Sequence, residues 1–153
     1  MIDIATVNSR KVFYQKYSTE LPWSKNIPTQ NWLAFVIVAN QAKTKLAEIA
    51  NKLIGHNACF ICCSGAQGEL LHDMIDEEIV FRQVDFEDLY LPPFDIVTTW
   101  HNNIAEGLWY ATKAACNDPI KIDKVVCLDA SESGIEPEIR ELLFKFNEGY
   151  IPD

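Results

Sequence analysis

Residues Asp95–Cys116, DIVTTWHNNIAEGLWYATKAAC, decide the fold. Ile96–Trp100 is a short β-type run. His101, Asn102 and Asn103 break it. From Asn103 the residues Ile104, Leu108, Ala111, Thr112 and Ala115 fall on one helix face at spacings of three and four. Asn103 is a good N-cap, with Glu106 placed three residues on as a capping-box partner. A strand that turns directly into a helix is half of a βαβ unit.

The same grammar runs through the rest of the chain. Trp32–Ala39 (WLAFVIVA) is continuously apolar, as expected of a central strand covered on both faces. A helix is predicted over Gln41–Ile54, ended by Gly55. Ala58–Cys63 reads as a second buried strand, followed by the turn Ser64–Gly68 and a helix over Glu69–Glu78 with Leu70, Leu71, Met74 and Ile75 inward. Ile79–Val84 reads as a short edge strand and Asp85–Phe94 as an irregular acidic loop. Lys124–Asp129 is the fourth core strand. Ser133 and Glu136 form a second capping box, opening a helix that runs to about Phe146. Strands alternating with helices predict an α/β fold: a three-layer sandwich on a mainly parallel four- to five-stranded sheet, flavodoxin-like or Rossmann-like. Residues 32–153 are read as a single domain. Residues 1–31 are read as an N-terminal arm packed on it, with Val12–Tyr14 and Tyr17 as a candidate edge strand.

A length of 153 residues suits one domain with a sound core. The N-terminal MIDIATVNSRK lacks the apolar stretch of a secretory signal, and the longest apolar run, Trp32–Ala39, is too short to span a bilayer. A cytoplasmic location and no membrane association are the expectation. The five cysteines fit a reducing compartment as small buried hydrophobes. Cys59 and Cys62 match C-x-x-C but fall in a β-type run, where residues three apart face opposite sides. No metal or cofactor is therefore expected.

The formal charge of −9 is unevenly spread. Residues 1–54 are net +4, whereas residues 69–95 carry nine acids against Arg82 alone, net −8. That polarity argues against nucleic acid, which needs clustered Lys and Arg. It suits a protein partner with a basic surface. The candidate partner-binding residues are Asp76 and Glu77, together with Asp85, Phe86, Glu87, Asp88 and Tyr90, where aromatic and acidic side chains interleave.

In open α/β sheets, ligands sit beyond the carboxyl ends of the strands. That rule selects Asn40, Gly65, Gly68 and Asn102 as candidate ligand-binding residues. The turn Ser64–Gly68 holds G-x-x-G, two glycines where a dinucleotide fingerprint needs three. His101, with a pKa near neutrality, would form an acid–base set with Asp129 and a nucleophile such as Ser64 if the third and fourth core strands were neighbours.

Thr98-Thr99-Trp100-His101, followed by a helix carrying Glu106, Leu108, Trp109, Tyr110 and Ala111, resembles an uncharacterised group of small bacterial α/β domains. The resemblance covers about the middle third of the chain, including Leu71-His72-Asp73. It implies a bacterial α/β domain and transfers no activity and no functional residue. The residues themselves favour a small acidic binding protein, in its sharpest form a non-catalytic immunity protein that neutralises a cationic toxin or nuclease. The alternatives are a small-molecule or nucleotide-binding enzyme or sensor using the strand ends, and a packing subunit of a larger assembly.

Overall fold

A computed structural model describes residues 1–84 and 88–153. The elements in chain order are β1 (Ile2–Val7), β2 (Arg10–Lys16), β3 (Trp32–Val38), α1 (Lys43–Gly55), β4 (Phe60–Ser64), α2 (Gly68–Val84), β5 (Val97–His101), α3 (Ile104–Lys113), β6 (Lys124–Ala130) and α4 (Glu136–Asn147). Among the described residues the strands form one six-stranded sheet in the order β1-β2-β6-β3-β4-β5. All neighbours are parallel except β1, which pairs antiparallel with β2.

The continuous apolar run of β3 is explained by its place: all seven residues are buried. Leu33, Phe35 and Ile37 pack with Leu108 and Ala111 of α3 and with Ile139, Leu143 and Phe146 of α4. Trp32, Ala34, Val36 and Val38 pack with Leu46, Ile49 and Leu53 of α1 and with Leu71 and Ile75 of α2. Alternate residues of one strand thus feed two separate cores, and the helix pairs α1/α2 and α3/α4 cover opposite faces.

Several elements differ from the sequence expectation. The sheet has six strands, not four or five. Residues 2–16 supply two of them as a hairpin, and β2 lies inside the sheet, between β1 and β6, rather than at an edge. The turn residues Asn8 and Ser9 both have positive φ, +52° and +65°. That is the backbone of the tight hairpin turn whose twist matches the flanking strands.

Ile79–Val84 is helical, not an edge strand: α2 continues through it. Its β-branched run is overridden by contacts at helical spacing. Glu78 and Arg82 pair four residues apart, Nε to Oε1 at 2.8 Å, and Arg82 also reaches Asn51 Oδ1 on α1 at 2.7 Å. Leu70, expected inward, is exposed.

The capping expectations divide. Asn103 does cap α3, its Oδ1 accepting from Glu106 N at 3.2 Å. At α4 no Ser133 cap forms. The N-cap residue is Ile135, and its own N–H is taken by Asp129 Oδ2 at 2.8 Å. At the end of α1 the left-handed residue is Asn57, φ +62°, and not Gly55. At the far end of α3, Arg10 reaches across from β2. Its guanidinium donates to Ala111 O at 2.7 Å and Ala115 O at 2.5 Å, satisfying carbonyls that a helix C-terminus leaves open.

Candidate functional site

Parallel register places Lys16, Asp129, Ile37, Ser64 and His101 in one row at the carboxyl ends of β2, β6, β3, β4 and β5. The strand-end rule therefore gathers the predicted residues along one edge. It does not gather them into one site. β3 and β4 lie between β6 and β5, so Asp129 and His101 are three strand spacings apart, about 14 Å.

Each member of the supposed acid–base set has other partners. Ser64 is fully buried, and its Oγ donates to His101 O at 3.2 Å. His101 stands with Nε2 3.0 Å from Thr99 Oγ1 and Nδ1 3.8 Å from Glu106 Oε1, its ring 5.2 Å from that of Tyr110. Burial lowers its pKa, and the Glu106 carboxylate opposes that shift in part. Gly107 permits this packing. A Cβ there would lie 3.0 Å from Phe35 Cε1 and 3.2 Å from His101 Cβ, so α3 lies against β5 only because that position carries no side chain.

Asp129 is fully buried. Oδ2 accepts from Tyr14 Oη at 2.6 Å and from Ile135 N at 2.8 Å. Oδ1 accepts from Ser131 N at 3.0 Å and from Ser131 Oγ at 2.5 Å. Burial alone would raise the carboxyl pKa, but these bonds outweigh it and hold the pKa below the ordinary aspartate value. Burial and the bond to Asp129 push the Tyr14 phenol up in turn. The carboxylate ties β2, β6 and the entry to α4 together.

Between β3 and β6, where the strand succession reverses, the chain fills the crevice itself. Gln67 Oε1 accepts from Gln41 N at 2.8 Å, and Gln67 Nε2 donates to Gln41 O at 2.9 Å. Gln41 Nε2 donates to Ala130 O at 3.1 Å. Two amide side chains thus lock the turns after β3 and β4 to the end of β6. The sequence places Gln41 at a strand end and Gln67 in the Ser64–Gly68 turn but does not disclose that they pair. Their only signal was their place, one at each strand-to-helix turn.

A cleft of about 630 Å³ does open at the ends of β4 and β5. It is lined by Gly65 and Ala66, by Asn102 to Ala105, and by Glu138 and Leu142 of α4. Of the predicted ligand residues it gathers Gly65 and Asn102. Asn40, exposed with φ +56°, and Gly68, buried under the first turn of α2, do not line it.

The thiols behave as core residues, with two changes to the expectation. Cys116 is exposed. Cys59 precedes β4 in a bend, so strand alternation does not separate it from Cys62, and both join the same core. Burial pushes their thiols up to about 11 and about 12, which keeps them protonated at neutral pH.

The predicted partner-binding residues fall into three groups. Asp85, Phe86 and Glu87 lie outside the described residues. Asp76 is half-buried, and its Oδ1 accepts from Thr98 Oγ1 on β5 at 2.6 Å. Glu77, Asp88 and Tyr90 are exposed, and the Tyr90 hydroxyl donates to Asn57 Oδ1. The outward face of α2 also exposes Val80 (56%), Phe81 (53%) and Val84 (66%), large apolar side chains that the acid count did not disclose.

No curated protein and no solved structure matches the chain. One family pattern does, over residues 12–146, from inside β2 nearly to the end of α4. That span includes the Thr98–His101 strand end and the helix behind it. The chain belongs to the family described as a domain of unknown function, DUF7684.

Proposed function

We propose that the protein is a non-catalytic binding protein whose α2 face meets a protein partner with a basic surface. In its sharpest form the proposal is a cytoplasmic bacterial immunity protein that covers the active cleft of a cationic toxin or nuclease. The observation that carries the reading is the composition of the α2 surface, where exposed Val80, Phe81 and Val84 stand beside Asp73, Asp76 and Glu77. Apolar side chains ringed by one sign of charge are the makings of an interface: the charges steer encounter and the apolar groups hold the complex. The strand ends support the same reading by contrast, since Ser64, Asp129, Gln41 and Gln67 spend their polar atoms on the protein's own backbone and side chains.

The finer architecture we infer is a three-layer sandwich of Rossmann-like order. Helix pairs on opposite faces and the succession β5-β4-β3-β6 favour it over the flavodoxin-like order.

The test is native mass spectrometry of the chain recovered with its partner from its host. A second polypeptide is expected in the wild-type complex. Combined Asp73→Lys and Glu77→Lys should slow association about tenfold and remove most of its salt dependence. Binding that is unchanged by the double reversal and insensitive to salt would sink the acidic-face reading.

The cleft beside Gly65 and Asn102 favours a second reading, a small-molecule or nucleotide site at the strand ends. The titratable residue of the strand ends, His101, adjoins that cleft in sequence but does not line it. Because the His101 side chain is only 10% exposed and packs under α3, His101→Ala is expected to lower the thermal midpoint by roughly 5 °C. A mutant that melts like wild type but loses nucleotide binding would move the assignment to the cleft.

A further inference from the structure

We propose that the groove between α1 and α2 receives an amphipathic, basic helix of the partner protein. This rests on the binding-protein reading and adds what docks and where. The groove has a volume of about 410 Å³. Ala47, Ala50 and Asn51 form its α1 wall; Met74, Glu77, Glu78 and Phe81 form its α2 wall. Both sets recur at spacings of three and four, so each is one continuous helix face, and the two faces make a trough with helical walls.

The trough is apolar at its base and acidic on one rim. The small side chains of Ala47 and Ala50 make the floor, while Met74 and the exposed Phe81 supply apolar contact. A second apolar patch, lined by Asp76, Glu77, Val80 and Phe81, continues around α2. Phe81 belongs to both and joins them. At one end Arg82 is committed to Glu78, Asn51 and the Tyr90 carbonyl, which leaves Glu77 to set the sign of charge in the groove; Asp76, within reach of His72, lines the adjoining patch.

An incoming segment must therefore bring apolar side chains to the floor and positive charge to the α2 rim. A helix with Leu-type residues on one stripe and Lys or Arg beside it meets both demands. An anionic membrane surface is disfavoured by the acidic rim.

The probe is a synthetic Lys/Leu amphipathic peptide of roughly 14 residues, about four helical turns. A peptide of the same composition, scrambled to destroy the apolar stripe, is the control. Fluorescence anisotropy is expected to show binding of the amphipathic peptide, weakened at least tenfold by Phe81→Ser and by Ala47→Trp, which blocks the floor. Both positions reach solvent, and a preserved thermal midpoint checks that each variant folds. Equal binding of the scrambled peptide, unaffected by either variant, would overturn the helix-in-groove proposal yet leave the acidic-face reading standing. Failure of both peptides to bind would overturn the two together.

Discussion

Replacing Asp129 with alanine is expected to cost about 3–5 kcal/mol of folding stability, a fall in the thermal midpoint of roughly 10 °C. The side chain is fully buried and accepts four hydrogen bonds. Without it, the Tyr14 hydroxyl, the Ile135 N–H and the Ser131 N–H and hydroxyl lose their acceptor in the interior. Leaving buried donors unpaired is more costly than the net worth of the bonds they made. Asp129→Asn should recover part of the loss, because one oxygen still accepts while the new NH₂ group faces donors. Calorimetry decides the matter: an alanine variant within about 1 kcal/mol of wild type would refute the anchoring role.

The same carboxylate gives a pH signature. Its folded-state pKa lies below the ordinary aspartate value. Its stabilising contribution is therefore full above the unfolded pKa of about 3.9 and disappears as pH falls through the lower, folded value. Wild type should lose stability in that acid window, and Asp129→Asn should lose less there. A variant whose stability falls with acid as steeply as wild type would show that other groups govern this limb.

Gly65→Ala is the second large effect, expected at about 2–4 kcal/mol. Gly65 sits at φ +90°, and an added Cβ would stand 2.6 Å from Val38 O and 3.3 Å from Ile37 Cγ2. The first of these neighbours is backbone, and it is held in place: Val38 O accepts from Gln67 N at 3.0 Å. Relief would require the turn to lift away, which would also pull Gln67 off Gln41 and tilt the start of α2. Gly55→Ala is the matched control. No atom lies within 4 Å of a Cβ at that helical position, and alanine there should be neutral or stabilising by up to about 1 kcal/mol. Chemical denaturation of the two variants side by side tests the contrast, and equal midpoints would contradict it.

The two glycines also illustrate what was legible from the chain alone. β3, β4 and β6 could be read because strands buried on both faces must be apolar throughout. α3 could be read because its stripe and its Asn103 cap agree. The β1–β2 hairpin was obscured by its turn, where Ser9 stands in the position that glycine more often marks. The second half of α2 was obscured by Ile79, Val80 and Val84, whose local preference for strand yields to the Glu78–Arg82–Asn51 contacts made across to α1. Charge counting found the acids of α2 but not the apolar residues among them, since exposure of Val80 and Phe81 depends on which way the helix turns. The polar lock of Gln41 and Gln67 and the Arg10 cap on α3 are tertiary pairings with no local period. The separation of His101 from Asp129 follows from strand order, which a linear pattern of alternating elements leaves open.

That strand order also bears on how the molecule is made. β2 has β1 on one side and β6 on the other, and its register pairs Lys11 with Lys124 and Lys16 with Asp129, more than a hundred residues downstream. On the ribosome the β1–β2 hairpin emerges well before the strand it must pair with. Until residue 130 clears the exit tunnel, one rim of β2 has nothing to zip against, and Tyr14 has no carboxylate to hold. Synthesis rate between residues 16 and 130 and chaperone cover for the waiting hairpin therefore bear directly on yield.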